Sequence, residues 1–322
     1  MVCHSQDDIL NKDRLGAAWS KVQAAQRITL LTHFKPDGDG IAACAALEHL
    51  FLQKGKFVET IYPSAPEFAF TRQPKTVYIN EHRQHPDLII ICDTANYDRA
   101  YYPDAFKGIP LINIDHHVSN SIDGVYNFVA FEWSSTCELL YLILKILAPE
   151  CIDTTIAELL LYGILYDSQI FQTQATTAQT LTIAAELMHK GADLYALKTE
   201  LIAHKDPHVI ALWGKVLSSV VVTDNEKAVY AVVRQGDLQH YNIHLPALVG
   251  FHNFLSHISL VDVSVLFYEM ENGNIKCSLR SKRYDVNAVA RQFGGGGHKN
   301  AAGFISQEPI DTIIKRVVGV LL

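Results

Sequence analysis

Four apolar runs in this chain end in residues able to hold metal ions or move protons. Leu111 to Ile114 runs into Asp115-His116-His117, and Ile28 to Thr32 stops at His33, followed by the turn Pro36-Asp37-Gly38-Asp39. Leu88 to Cys92 stops at Asp93, and Leu159 to Tyr166 stops at Asp167. In open α/β sheets, ligand sites lie beyond the carboxyl ends of the strands. Three of these runs read as strands and the fourth as a helix end. Asp37, Asp39, Asp93 and Asp167 would then place four negative charges in one crevice, which is unfavourable unless pKa values rise or cations bind. Two divalent ions balance four carboxylates. Mixed oxygen and imidazole donors suit Mn²⁺ better than Mg²⁺ or Ca²⁺, with Zn²⁺ and Fe²⁺ as competitors. A pair of ions about 3.5–4 Å apart is the layout for in-line attack on phosphorus, one activating water and both stabilising charge. Singly, each piece has a plainer reading. Asp93 could cap a helix over Tyr97 to Ala105, Asp167 could cap the segment after it, and adjacent histidines can fill half-buried corners. Their joint placement at the ends of four runs argues for a site.

Those residues need a sheet and helices to hold them. Arg27 to His33, Phe57 to Tyr62, Leu88 to Cys92 and Leu111 to Ile114 read as strands, with a short one at Thr76 to Ile79. Leu88 to Cys92 is almost continuously apolar, as a central parallel strand covered on both faces must be. Helices are predicted over Asp13 to Gln26 and Ile41 to Lys54, and from a Ser135/Glu138 capping box through Leu147. A second capping box at Thr155 and Glu158 precedes Leu159 to Tyr166. Strands alternating with helices predict a parallel, doubly wound α/β domain over residues 1–190. A helical pattern from Thr177 to Ser219, broken at Gly191 and Pro207, places a linker at 191–220. Strands then restart at Ser219 to Thr223, Ala228 to Val233, Asp262 to Phe267 and Ile275 to Leu279. The last two are joined by the turn-forming Glu271-Asn272-Gly273-Asn274. With helices at Asn287 to Gln292 and Ile310 to Val318, residues 221–322 read as a smaller α+β domain. The active-site cleft is expected between the two.

At 322 residues and 35.9 kDa the chain is long enough for two domains. Its 49% hydrophobic and 19% charged residues describe a globular protein without a disordered tail. A net charge of −7 and a pI near 6.1 disfavour a protein that coats long nucleic acid, which requires a broad basic surface. A short RNA or a nucleotide held in a cleft remains compatible. Cys3, Cys44, Cys92, Cys137, Cys151 and Cys277 include no C-x-x-C pair, so they read as buried thiols in a reducing compartment. Met1 to Asp8 lack the basic-then-apolar order of a signal peptide, and the apolar runs break at Lys145 and Asp167 before reaching bilayer length. A soluble cytoplasmic protein with no membrane partner is expected, and a homodimer is left open.

Taken together, His33-x-x-x-Asp37-x-Asp39, Asp93, Asp115-His116-His117 and Asp167 resemble the DHH phosphoesterase superfamily over roughly residues 27 to 170. Cys277 to Lys282, Asp285-Val286-Asn287, the glycine run 294–297 before His298, and Ala301-Ala302-Gly303 resemble its DHH-associated domain. That form of the domain belongs to the branch of bifunctional oligoribonucleases and pAp phosphatases, the nanoRNases. The resemblance implies that His33, Asp37 and Asp93 hold one ion, and that Asp39, Asp93, His116 and Asp167 hold a second, with Asp93 bridging. It implies that Asp115 orients an imidazole, and that His117 faces the scissile phosphate as charge stabiliser or proton donor. Arg280, Ser281, Gly296, Gly297 and His298 would grip the nucleotide end away from the cleaved bond. An arginine fork suits phosphate, and consecutive glycines let backbone amides approach a ligand closely. Gly40-Ile41-Ala42-Ala43 stands where Ala-Ile-Gly-Ser is commoner in the family, and Asp167-Ser168 replaces Asp-Thr. Neither removes a ligand. The remaining histidines show no comparable pattern and read as packing or surface residues.

The expected activity is Mn²⁺-dependent hydrolysis of very short oligoribonucleotides (nanoRNA) or pAp to mononucleotides, through a two-metal-activated water. Hydrolysis of cyclic di-AMP or its linear product pApA, by enzymes with the same two domains, is the alternative, and the motifs are common to both. A manganese-dependent pyrophosphatase would lack the glycine run before a histidine in its second domain. The long single-strand exonuclease branch is disfavoured by chain length and by the acidic charge. A catalytically silent nucleotide-binding regulatory module on the same fold would have lost ligands, whereas all six metal positions carry competent residues.

Overall fold

The computed structural model describes residues 10–66, 71–202, 207–224, 226–243, 251–256 and 261–321. The chain forms two units, residues 1–203 and 204–322. The first is built on six parallel strands: β1 (Arg27–Leu31), β2 (Phe57–Tyr62), β3 (Val77–Ile79), β4 (Leu88–Cys92), β5 (Leu111–Asp115) and β6 (Tyr126–Val129). Their spatial order is β3-β2-β1-β4-β5-β6, with Ile28 of β1 opposite Val58 on one side and Leu88 on the other. The chain therefore winds outward in both directions from the β1–β4 boundary. At such a switch point the loops leaving neighbouring strands part and open a crevice. His33 follows β1 and Asp93 follows β4, so the two stand on either side of it.

Alternation along the strands sorts their side chains between two faces. Ile28, Leu30, Leu88, Ile90, Ile112 and Ile114 enter a core shared with α1 (Lys12–Ala24), α2 (Gly38–Gln53), α3 (Thr136–Leu147), α4 (Thr154–Asp167), α5 (Ala178–His189) and α6 (Leu194–Ile202). Leu31, Ile61, Ile89, Ile91 and Leu111 join a separate cluster with Phe106, Ile122 and the partly buried Tyr97, Tyr101 and Tyr102. Right-handed crossovers account for this division. The β1–β2 connection carries α2 over one face, and the β4–β5 connection, leaving in the opposite direction, lays residues 93–110 over the other. That second connection is not the α-helix considered for Tyr97 to Ala105. It forms single 3₁₀ turns at Tyr97–Arg99 and Asp104–Phe106, because Pro103 lacks an amide donor and disfavours helical backbone before it.

Two helix starts differ from expectation in detail. Ser135 Oγ accepts from Glu138 N at 3.0 Å, but the Glu138 carboxylate turns to Ser134 N at 2.8 Å, so the box closes on one side only. The cap of α4 is Asp153, which accepts from Ile156 N at 2.9 Å. Thr155 already lies inside the first turn, out of reach of the amides a cap must satisfy.

The expected linker is shared between the units. Leu197 of α6 is buried in the first core, while Val209, Leu212 and Val216 of α7 (Pro207–Ser218) are buried with residues of the second. The second unit contains β7 (Val221–Val222), β8 (Ala228–Val233), α8 (Gln235–His240), α9 (Phe251–Ser256), β9 (Val263–Glu269), β10 (Ile275–Ser281), α10 (Val286–Gln292), β11 (Gly296–His298), β12 (Ala301–Ser306) and α11 (Ile310–Leu321). Its strands follow the order β11-β12-β10-β9-β8-β7, and the β8–β9 ladder is parallel while the others are antiparallel. The β9–β10 hairpin closes with Met270 N donating to Asn274 O at 2.8 Å and Gly273 at φ +80°, as the sequence turn predicts. Among the described residues no helix is long and apolar enough to cross a membrane.

One histidine is built into this second unit. His252 of α9 is 7% exposed, with Nδ1 3.1 Å from Ser278 Oγ and Nε2 3.1 Å from Ser264 O. Burial, reinforced by the charge of Arg280, pushes its pKa from 6.5 down to about 4. The unfolded chain therefore takes up this proton first as pH falls. The associated stability is complete above about pH 6.5 and is lost on the way down to about pH 4. Between these limits the wild-type urea unfolding free energy is expected to drop by on the order of 1–3 kcal/mol more than that of His252→Gln. Parallel curves for the two proteins would refute this.

Candidate active site

The crevice is built from the carboxyl ends of three strands and the ends of three helices. His33 is 6% exposed, and its Nδ1 donates to Phe34 O at 2.9 Å. That leaves Nε2 as the nitrogen facing the acids, 3.7 Å from Asp37 Oδ1 and 3.5 Å from Asp93 Oδ2. Asp37 also caps α2, its Oδ1 accepting from Asp39 N at 3.1 Å and Gly40 N at 3.3 Å. The helix consequently starts three residues before the predicted Ile41, since the cap rather than the apolar period decides its first turn. Asp39 is fully buried and accepts from Thr136 N at 2.6 Å and Cys137 N at 3.0 Å. These are the first amides of α3, and a helix N-terminus favours a carboxylate electrostatically.

Asp93 sits at the centre, 2% exposed and in left-handed backbone with φ +56°. Its amide donates to Ile114 O at 3.0 Å, and Thr136 Oγ1 donates to its Oδ1 at 3.2 Å. The two carboxylate oxygens are divided. Oδ2 lies 3.5 Å from His33 Nε2, and Oδ1 lies 3.5 Å from His116 Nε2. His116 Nε2 is also 3.1 Å from Asp167 Oδ2, and its Nδ1 is 3.3 Å from Trp133 O. Asp115, the last residue of β5, is fully buried and accepts from His116 N at 2.9 Å, His117 Nδ1 at 2.7 Å and Asn120 Nδ2 at 2.6 Å. The imidazole that it orients is therefore that of His117.

The charges behave as those of an acidic cluster short of cations. Burial disfavours protonation of His33, yet Asp37 and Asp93 raise its pKa to about 10. Burial opposes protonation of His116 too, and Asp167 and Asp93 raise it to about 12. Burial works against ionised Asp93, but hydrogen bonds from His116 and His33 hold it far below the usual carboxylate range. Burial and the neighbouring acids push Asp39 up and carry Asp167 to about 6. Protons on two imidazoles are one answer to this shortage, and divalent ions are the stronger one.

The residues fit such ions. Three groups have donor atoms close enough to share one: His33 with Asp37 and Asp93, Asp39 with His116 and Asp167, and Asp93 with His116 and His117. Donors about 2.1 Å from a common ion and at right angles lie about 3 Å apart, close to the separations found. Glycines keep the cradle open. A Cβ on Gly163 would meet Cys137 Sγ at 2.3 Å and Asp39 Oδ1 at 2.7 Å. One on Gly40 would meet Thr32 Oγ1 at 2.4 Å and Asp93 Oδ2 at 3.2 Å.

Residues 27–164 match the DHH family N-terminal domain, and residues 225–321 match the DHHA1 domain. The chain belongs to the DHH family. It is 30% identical over 291 residues to the bifunctional oligoribonuclease and PAP phosphatase NrnA of Thermus thermophilus, covering 86% of this chain and 83% of that protein. The probable bifunctional oligoribonuclease and PAP phosphatase NrnA of Streptococcus mutans is 28% identical over 286 residues, covering 88% and 91%. In fold the chain is similar to an exopolyphosphatase-related protein from Bacteroides fragilis, with a TM-score of 0.84 at 24% identity, covering 96% and 95%. DHH phosphoesterases use divalent metals, and the acid and histidine groups here could hold them.

The DHHA1 residues singled out by sequence fare differently from one another. Arg280 is half-buried, Nη1 donating to Leu279 O at 3.2 Å, and it lines cavities of about 250 Å³ and 530 Å³. Gly296 lines the larger cavity, and a Cβ there would meet only Asn287 Oδ1, at an ordinary 3.9 Å. Gly297 is glycine for another reason. Its φ is +149°, and a Cβ would lie 2.5 Å from Ala301 O across the β11–β12 ladder. The Ser281 hydroxyl accepts from Arg283 N at 3.1 Å and Tyr284 N at 2.7 Å, closing the turn after β10. His298 pairs with Ala301 through its backbone, and its side chain lies outside the described set.

Sequence reading missed the groups that hold the acids in place: the amides of Thr136 and Cys137, the Thr136 hydroxyl and Asn120. The capping signature at Ser135 marks a helix start, but nothing local says that it faces an acid 97 residues away. The unusual Gly40 is explained by Thr32, whose hydroxyl is buried without a hydrogen-bond partner among the described residues. Gly40→Ala is expected to lose about 1–3 kcal/mol of stability by overpacking, and Gly40→Ala with Thr32→Ala to recover most of it in denaturant unfolding. A double variant no more stable than the single one would place the clash elsewhere.

Proposed function

We propose that this chain is a cytoplasmic, manganese-dependent phosphoesterase that hydrolyses short oligoribonucleotides and pAp to mononucleotides. The observation that carries the reading is the division of Asp93 between two histidine-acid groups at the switch point, one oxygen to each. The names of relatives matched over most of the chain support the substrate class. Free buried thiols at Cys44, Cys92, Cys137 and Cys277 fit a reducing compartment.

Divalent ions, when bound, supply an activated water and neutralise charge at phosphorus. His33, Asp37 and Asp93 would hold one, and Asp39, Asp93, His116 and Asp167 the other, with Mn²⁺ favoured by the mixed donor set. Asp93 sets the distance between the two groups, and its tie to β5 keeps that distance fixed. The amides of α3 hold Asp39 in place. His117, with its side chain 37% exposed, commits Nδ1 to Asp115. Its Nε2 is then free to donate a proton or a hydrogen bond to phosphate. The Asp115 bond also raises the His117 pKa, which favours the charged ring where negative charge develops. In the second unit Arg280 grips the nucleotide away from the scissile bond, and Gly296 admits the ligand beside it.

With Mn²⁺ present, the protein is expected to release mononucleotides from pAp and from a diribonucleotide, and to act poorly on long RNA. Turnover confined to cyclic di-AMP and pApA would overturn this substrate class. Asp93→Ala is expected to reduce hydrolysis to background, and retained activity would contradict a two-ion centre. Arg280→Ala should raise KM roughly 10- to 100-fold, as loss of a charged hydrogen bond does, with metal content unchanged. Metal loss in that variant would show that Arg280 has a role other than substrate capture.

A further inference from the structure

The 3₁₀ turn that follows Asp93 delivers an arginine to the edge of the metal-binding groups. Asn96 Oδ1 accepts from Arg99 N at 3.2 Å, and Arg99 O accepts from Phe34 N at 2.6 Å. His33 and Ala100 form a β-bridge beside it. The backbone around Arg99 is thus tied to the residues that set His33. The guanidinium lies with Nη2 3.3 Å from His33 Nδ1.

That approach is not a stable hydrogen bond when His33 serves as a ligand. A ring whose Nε2 faces a cation keeps its proton on Nδ1. Here Nδ1 donates that proton to Phe34 O at 2.9 Å, and so it has no lone pair for Arg99. The Arg99 side chain is exposed, and among the described residues it forms no ion pair with a carboxylate. The guanidinium is aimed at the outer side of the His33 imidazole, whose other nitrogen faces Asp37 and Asp93. An exposed guanidinium at the rim of a cation site is placed to meet an anion drawn to those cations. Guanidinium offers two parallel N–H donors matched to phosphate oxygens.

We propose that Arg99 binds a non-bridging oxygen of the scissile phosphate on the His33 side of the site. This rests on the phosphoesterase reading given above and adds to it a residue that touches the reacting group. Charge that builds on phosphoryl oxygens is stabilised by cations positioned in advance. The side chain is expendable to the fold, because the backbone and Asn96 make the structural contacts.

The test uses the full chain with Arg99→Ala, Arg99→Gln and Arg99→Lys. Arg99→Ala is expected to lower kcat/KM on pAp by roughly 10- to 100-fold, the value of one charged hydrogen bond. AMP binding to the Mn²⁺-loaded protein, measured by calorimetry, should weaken about tenfold. Calorimetric Mn²⁺ titration and the thermal midpoint should match the wild type. Guanidinium added to the assay should recover part of the Arg99→Ala rate without raising the wild-type rate, and Lys should retain more activity than Gln. Unchanged kinetics and AMP affinity beside an active wild type would overturn this inference alone, as would loss of Mn²⁺ binding in the variants. A wild type that hydrolyses neither pAp nor a dinucleotide would overturn the phosphoesterase reading and this inference together.

Discussion

Four carboxylates cannot share a buried crevice without positive charge, and that constraint organises the first unit. Asp93 is its focus. Each of its oxygens faces a different histidine at 3.5 Å, and its left-handed backbone turns the side chain into the crevice as β4 ends. Asp tolerates that conformation better than most residues, which suits it to the position. Moving this carboxylate would disturb both ligand groups at once.

The fold answers this demand with directed dipoles and with space. The first amides of α3 hold Asp39, and Asp37 begins α2 while facing His33. Elements that supply the acids therefore also stabilise one another, so the cost of gathering them is offset partly by ordinary helix capping. Gly40 and Gly163 leave room where any side chain would press on Thr32, Cys137 or Asp39. Parallel strands wound outward from β1 and β4 put these pieces at one edge of the sheet.

The second unit has a different logic. Its glycine run looks uniform in sequence, but each position does something else in the fold. Gly297 is required by close contact with β12, whereas Gly296 borders a cavity that Arg280 also lines. His252 is a packing residue buried neutral against two serines, consistent with its lack of any motif.

The ligand-type residues and the strands that carry them are legible in the sequence. Apolar period, length and the residue ending each run are local properties, and the DHH pattern concentrates them. Capping is only half legible. The spacing marks Ser135 correctly but points to Thr155 where Asp153 provides the cap, because nearby polar residues compete and backbone geometry selects one. The gathering of the run ends into one crevice is legible from the strand pattern, but the backbone and side-chain groups that one segment lends to another are not. The sequence by itself determined which groups could bind metal and in what order they occur. Only the tertiary structure decided that α3 points its amides at Asp39, that Asp115 serves His117, and that Arg99 reaches His33. The first and last are pairings between distant segments set by packing, and the second is a short-range choice that the backbone after β5 makes between two adjacent imidazoles.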